Sequence, residues 1–418
     1  LFFFKYFDFA ADTVVRLCAL AQIEVQRPAF DVVLPVGISF YTFQALGYTV
    51  DVYRGEIYAE KNFLKYALFV SFFPQLVAGP IERSKNLLIQ INEKHRFEFA
   101  RVRDGLLLML YGYFQKVVLA EYLAIAVDNV YNTCAERTGY QLLIATVLFA
   151  FQIYCDFGSY SNIAIGAAKV MGFTLMENFN TPYFSMSVAE FWRRWHITLG
   201  TWMKDYIFYP VSMAGWMGTL KKKLKRVASR KTATRVAMAI ADLIVFALVG
   251  VWHGLGTNYL AWGLYNGIIL AISAILVDEY AVWKNKMHID SQARYWKVIS
   301  LIRTLFIVTI GWIFDCTYTA GAAGKLFIHL FEFGKTDLSV ISLTTTDIAV
   351  LFVGCFVLLL VDVLHEKNLE VRQIIGTKNY WVQVVFWTIV VAALFVVFWY
   401  SVYRMANAAN NPFMYANF

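Results

Sequence analysis

Long apolar runs separated by short polar interruptions fill the chain. They cover 34–52, 63–80, 104–130, 140–156, 158–173, 235–253, 256–277, 297–315, 347–364 and 381–403, with a further one near 1–22. A helix needs about 20 apolar residues to cross a bilayer core of about 30 Å. Each run therefore predicts a transmembrane helix, and the shorter ones predict tilted, paired or re-entrant segments. The runs are continuously apolar rather than alternating, which disfavours a transmembrane barrel. No repeat, low-complexity tract or soluble insertion interrupts them, so residues 1–418 read as a single membrane domain. The opening "LFFFKYF" has no charged leader and no cleavage site. It does not read as a signal peptide, and the expectation is that further spans precede it.

One segment breaks the pattern. In "SVAEFWRRWHITLGTWMKDYIFYP" (187–210), Trp192, Trp195, Leu199, Trp202 and Tyr206 fall on one stripe at 100° per residue. Arg193, Arg194, Lys204 and Asp205 fall opposite, and His196 lies at the stripe's edge. Ser187 and Glu190 have capping-box spacing and Pro210 is a stop signal. The prediction is one amphipathic or re-entrant helix at the interface or against a polar cavity.

Composition agrees with the run pattern. The 418 residues are 59% hydrophobic and 16% charged, against about 45–50% and about 25% in soluble domains. The net charge of +8 reflects Lys and Arg in short loops, a topological signal rather than a nucleic-acid footprint. The loop "KKKLKRVASRKTATR" (221–235) carries eight basic residues and no acid, so it is expected on the cytoplasmic side, near anionic lipid headgroups. The span 235–253 then runs outward and places His253 toward its outer end. Five scattered cysteines without a CxxC pair argue against a disulfide framework and against zinc or iron–sulfur sites.

Candidate chemistry rests on two of six histidines. His95, His288, His329 and His365 sit in loops or at span ends and read as solvated. His253, in "GVWHGLGTNYLAWGLYNG" (250–267), lies among apolar residues at membrane depth, where ionisable groups are costly. Gly250, Gly254 and Gly256 would leave space around the ring, with Asn258 and Asn266 adding amide groups. A neutral imidazole there can take a proton from a hydroxyl attacking an acyl carbon. There is no GxSxG elbow, which favours direct transfer over a covalent acyl-enzyme, and no HExxH, P-loop or Rossmann fingerprint. A metal site is not expected.

The two histidine segments together resemble the membrane-bound O-acyltransferase superfamily, and within it the alginate O-acetylation group and related bacterial polysaccharide O-acetylation proteins. "LPVGISFYTFQALGYTVDVYRG" (34–55), "FFPQLVAGPIERSKNLLIQI" (72–91), "DFGSYSNIAIGAAKVMGF" (156–173), "ENFNTPYFS" (177–185) and the terminal "NPFMYANF" add to the likeness. Relatives often have "DFSGYSDIA" where this chain has Asn162, which lowers the weight of that segment as a binding element. The resemblance implies an all-α ring of tilted helices around a central tunnel, in a bacterial cytoplasmic membrane. It implies His253 as catalytic, with His196 second beside the tunnel. It further implies acetyl-CoA as donor, a polysaccharide hydroxyl as acceptor and an extracytoplasmic acetyltransferase-like partner. Trp195, Trp252, Arg193, Arg194 and Asn258 become candidate substrate contacts, though the tryptophans read more readily as interfacial anchors and the arginines equally as headgroup contacts. D-alanyl or other acyl transfer by the same fold stays open. So does a transporter for an anionic solute, although no second copy of either histidine segment supports the pseudo-symmetry common in transporters.

Overall fold

A computed structural model describes residues 2–405 apart from 24, 27–34, 36, 318, 335–336 and 370. Helix is the regular secondary structure among the described residues, with one isolated antiparallel bridge between Phe179 and Trp195. Among the described residues, seven helices are long and apolar enough to cross a membrane: Phe99–Tyr131, Gly139–Met171, Arg230–His253, Thr257–Ile275, Arg294–Phe314, Thr345–Glu366 and Tyr380–Arg404. The chain is an all-α multi-pass membrane protein, as the run pattern predicts. The start of the run at 34–52 and the terminal "NPFMYANF" lie outside the described residues.

Several boundaries differ from the expectation. The runs 140–156 and 158–173 are one helix of 33 residues. Gly158, where the second run begins, sits inside it, with only the Tyr154 ring, 3.7 Å away, near its missing side chain. The run 63–80 yields only the short helix Phe63–Val70, because Pro74 starts a tight turn at Phe73–Gln75. The run 34–52 yields Ile38–Tyr53, only 16 residues and too short to be counted as a span. The basic loop expected at 221–235 is largely helical: Gly215–Leu224 and then Arg230–His253, with only 225–229 between.

Two helix pairs frame the interior. Phe99–Tyr131 lies along Gly139–Met171, and small residues set the spacing. A Cβ on Gly105 would lie 2.6 Å from the Gly166 carbonyl oxygen, and one on Gly112 would lie 2.8 Å from that of Ser159. The first helix widens into a π segment over Phe114–Ala120. There Lys116 Nζ sits 2.7 Å from Glu121 and 2.6 Å from Asp156, a cation shared by two carboxylates. Asn162 donates to Gln115 across the same interface at 2.7 Å, so the residue that departs from the family pattern serves helix packing.

The second pair is the hairpin Arg230–His253 with Thr257–Ile275. A Cβ on Gly263 would lie 2.3 Å from the Phe246 carbonyl oxygen, and one on Gly250 would lie 2.5 Å from that of Tyr259. At the far end Arg235 donates two hydrogen bonds to Asp278, at 2.6 and 3.0 Å, joined by Lys231 at 3.0 Å. Those hydrogen bonds hold the Asp278 carboxyl down at about 2.

Candidate active site

The amphipathic segment is not one helix. Val188–Arg194 ends, the backbone turns through His196 at φ 44° and ψ 53°, and a second helix runs Ile197–Met203. A π segment, Lys204–Phe208, and a short helix, Tyr209–Met213, follow; Pro210 sits in that last helix instead of ending the segment. A left-handed conformation at a non-glycine residue costs energy and persists only where surroundings impose it. Here Asn180 N–H donates to the Arg194 carbonyl at 2.9 Å and Ile197 N–H to the Asn178 carbonyl at 2.9 Å, pinning the chain on both sides of the turn. Ser187 caps the first helix through Glu190 N–H at 3.2 Å, as its spacing predicts, while the Glu190 carboxylate reaches back to Met186 N–H at 2.9 Å.

The turn directs His196 inward, with 4% of its surface exposed. Its Nδ1 lies 2.9 Å from Asn178 Oδ1. Its ring meets Phe157 edge-on at 4.7 Å and stacks near Phe40 at 6.1 Å. Burial, and then the neighbouring His253, hold its pKa well below the usual imidazole value. His253 is the last residue of its helix, 8% exposed, ringed by Trp252 at 4.7 Å, Trp262 at 5.0 Å and Tyr259 at 6.3 Å.

The two histidines line one cavity of about 530 Å³. Trp192, Trp195, Phe246 and Trp262 form much of its apolar wall, with Arg193, Lys204 and Asp242 as its charged groups. Long-range folding alone makes this assembly, for 57 residues separate the two imidazoles in sequence. Gly250 and Gly254 do not line it; they let Tyr259 and its backbone approach the hairpin closely. The space around His253 is therefore walled by aromatic side chains rather than left open by glycine.

The other candidate contacts divide. Trp195 and Arg193 line the cavity. Trp195 is 2% exposed and packs on Phe191 at 5.4 Å and Trp312 at 5.2 Å, so it is a core residue and not an interfacial anchor. Trp252 is equally internal, packed on Phe43 at 5.3 Å behind His253. Asn258 donates to the Phe314 carbonyl at 3.1 Å and Asn266 to that of Trp262 at 3.0 Å; neither lines the cavity. Arg194 turns the other way. It pairs with Glu190 at 2.8 Å and with Glu366, tying the short helix to the end of Thr345–Glu366. The remaining histidines line neither large cavity; His95, for example, rests on Phe173 and contacts the Gln90 carbonyl at 2.8 Å.

Two features escape a sequence reading. Asn178 is one, since its tie to His196 spans 18 residues and follows no local period. The other is a polar cavity of about 640 Å³ against the opposite face of the 204–213 segment, where Arg54, Arg83 and Lys85 meet Asp51, Glu56 and Asp205. Arg83 bonds Asp205 at 2.9 Å and lies 4.5 Å over the Tyr206 ring, whose hydroxyl donates to Asp51 at 2.7 Å.

A multi-pass helical body with two histidines lining one largely aromatic cavity defines an integral membrane protein with a candidate active site. Residues 59–318 match the membrane-bound O-acyltransferase family, and the chain belongs to that family. It is 35% identical over 356 residues to a probable alginate O-acetylase, AlgI, of Pseudomonas syringae, covering 84% of this chain and 62% of that one. A peptidoglycan O-acetyltransferase of Helicobacter pylori is 30% identical over 338 residues, 75% of this chain and 58% of that one. A teichoic acid D-alanyltransferase of Bacillus subtilis is 24% identical over 297 residues, 70% and 71% of the two chains. The chain spans 62% to 66% of the length of the alginate relatives from Pseudomonas syringae and Azotobacter vinelandii.

Proposed function

We propose that the chain is the membrane-embedded core of an O-acetyltransferase that moves an acetyl group to hydroxyls of an exported or cell-envelope polysaccharide. The observation that carries this is the pair His253 and His196 in one aromatic cavity. Family membership and three kinds of envelope-polymer acyltransferase among the relatives support it. The donor in this reading is cytoplasmic acetyl-CoA, and the membrane is the bacterial cytoplasmic membrane with residues 221–235 inside. An extracytoplasmic acetyltransferase-like partner completes delivery.

In the proposed step His253 accepts the proton of an acceptor hydroxyl as its oxygen forms a bond to the thioester carbonyl carbon. The tetrahedral intermediate collapses, the carbon–sulfur bond breaks, and the proton passes to the leaving thiolate. Such assistance contributes about 10²–10⁴-fold. The indole and phenyl wall gives the acyl group a largely apolar setting. Arg193 and Lys204, the cavity's two cations, are placed to meet an anionic part of the donor. The conduction-path alternative is weakened because Arg194 is committed to two carboxylates.

The test is transfer of labelled acetyl from acetyl-CoA to exported glycan by membranes containing the natural protein. Transfer is expected, and His253→Ala at unchanged membrane abundance is expected to abolish it. Normal transfer by His253→Ala overturns the catalytic assignment. Labelling only from a D-alanyl donor would move the chain to the other acyl group.

A further inference from the structure

Asn178 is buried at 1% exposure on the stretch before the His196 turn, and its side chain makes four hydrogen-bond contacts. Its Oδ1 receives Thr198 N–H at 3.3 Å and lies 2.9 Å from Thr198 Oγ1 and 2.9 Å from His196 Nδ1. Its Nδ2 donates to Ser161 Oγ at 3.1 Å. The orientation of an amide is set by which neighbours can only donate. A backbone N–H can only donate, so the atom facing Thr198 N is the oxygen. The Thr198 hydroxyl already accepts from Ile81 N–H at 3.0 Å, which leaves its proton for the same oxygen. With the oxygen fixed, His196 Nδ1 must carry a hydrogen. In a neutral imidazole the other nitrogen, Nε2, is then a hydrogen-bond acceptor.

We infer that Asn178 is a positioning residue: it locks His196, which lines the shared cavity, in the Nδ1–H tautomer and so makes Nε2 the ring's proton-accepting or hydroxyl-orienting atom. A chain of donors runs from Ile81 N–H through the Thr198 hydroxyl to Asn178, so a backbone amide over a hundred residues away supports the arrangement. The burial that holds His196 neutral supports the same arrangement. The inference concerns the tautomer itself; its catalytic meaning rests on the acyltransferase reading above.

The experiment separates the two. Nitrogen-15 NMR of purified protein labelled at histidine, with His196→Gln used to assign the resonances, reports which ring nitrogen is protonated without any turnover. Protonated Nδ1 and bare Nε2 near neutral pH are expected; protonated Nε2 overturns the inference whatever the enzyme does. Thr198→Val removes the hydroxyl anchor but keeps the backbone N–H that fixes the amide oxygen, so the single Nδ1–H tautomer is expected to persist; a mixture of tautomers would overturn that N–H as what sets the amide. Asn178→Asp keeps the acceptor but adds a negative charge beside the ring. It is expected to retain the Nδ1–H tautomer and to move the acid limb of acetyl transfer to higher pH. Asn178→Leu is expected to lower transfer by about 10²-fold, no further than His196→Ala does. If the Asp and Leu variants lose transfer equally, with no shift of the limb, Asn178 is only a packing residue.

Discussion

Two imidazoles share one chamber but are held differently. His253 closes a helix and is clasped by aromatic rings, whereas His196 sits on a left-handed turn and is held by an amide. The difference ranks them: His253→Ala should abolish transfer, while His196→Ala should leave a measurable residue in the same labelling assay. Equal and complete loss in both would contradict the ranking. Glu82 supplies a pH-dependent test of the scaffold. It is 1% exposed, takes hydrogen bonds from Met176 N–H and Asn86, and burial raises its pKa to about 7 from an ordinary 4.5. Between those two values the folded state holds a proton that the unfolded state has released, so stability falls as pH rises through the window. Thermal midpoints of Glu82→Gln should therefore depend less on pH between 4.5 and 7 than those of the parent chain. His253 is legible in the sequence because so few ionisable groups interrupt the apolar runs, and His196 because it lies at the edge of an aromatic stripe. Asn178 and Asp242 are not, because nothing local shows which residues meet across the fold. Arg193 and Arg194 are adjacent in sequence, and only the structure separates a cavity group from a tether.

At the scale of elements, helical periodicity finds where spans lie but not where they bend. The stripe through 187–210 is real as a pattern, yet it assumes a single axis that the turn at His196 breaks. The cause is tertiary, namely backbone bonds to Asn178 and Asn180. The π segments at Phe114–Ala120 and Lys204–Phe208 are equally silent in sequence, since an inserted residue shifts a stripe without erasing it. Two predictions belong here. Gly263→Ala places a Cβ where 2.3 Å separates it from the Phe246 carbonyl oxygen. The hairpin must part, and the detergent-solubilised protein should melt at lower temperature with reduced transfer; an unchanged midpoint would show that the packing is slack. Arg194→Ala and Glu366→Gln should each lower the midpoint. Because the two share one ion pair, the double variant should lose little more than the worse single one. Fully additive losses would show the tether is not a unit.

Across the whole molecule, the sequence reveals class and family through run length, composition and motif. The cavity needs the fold, because His196 and His253 meet only when the broken segment packs on the hairpin. The paired helices Phe99–Tyr131 and Gly139–Met171 hold 33 residues each, or roughly 50 Å at 1.5 Å per residue. The hydrocarbon slab is about 30 Å deep. Two rods locked together through Gly105 and Gly166 cannot shorten independently, so they lean or stand proud as a unit. Reconstitution into bilayers of graded acyl-chain length should give a transfer optimum and a decline on both sides; a flat response would mean the rods project freely into water. Under the proposed transfer, lipid thickness would then act as a dial on this protein: membranes that change their fatty acids with temperature would also reset its rate.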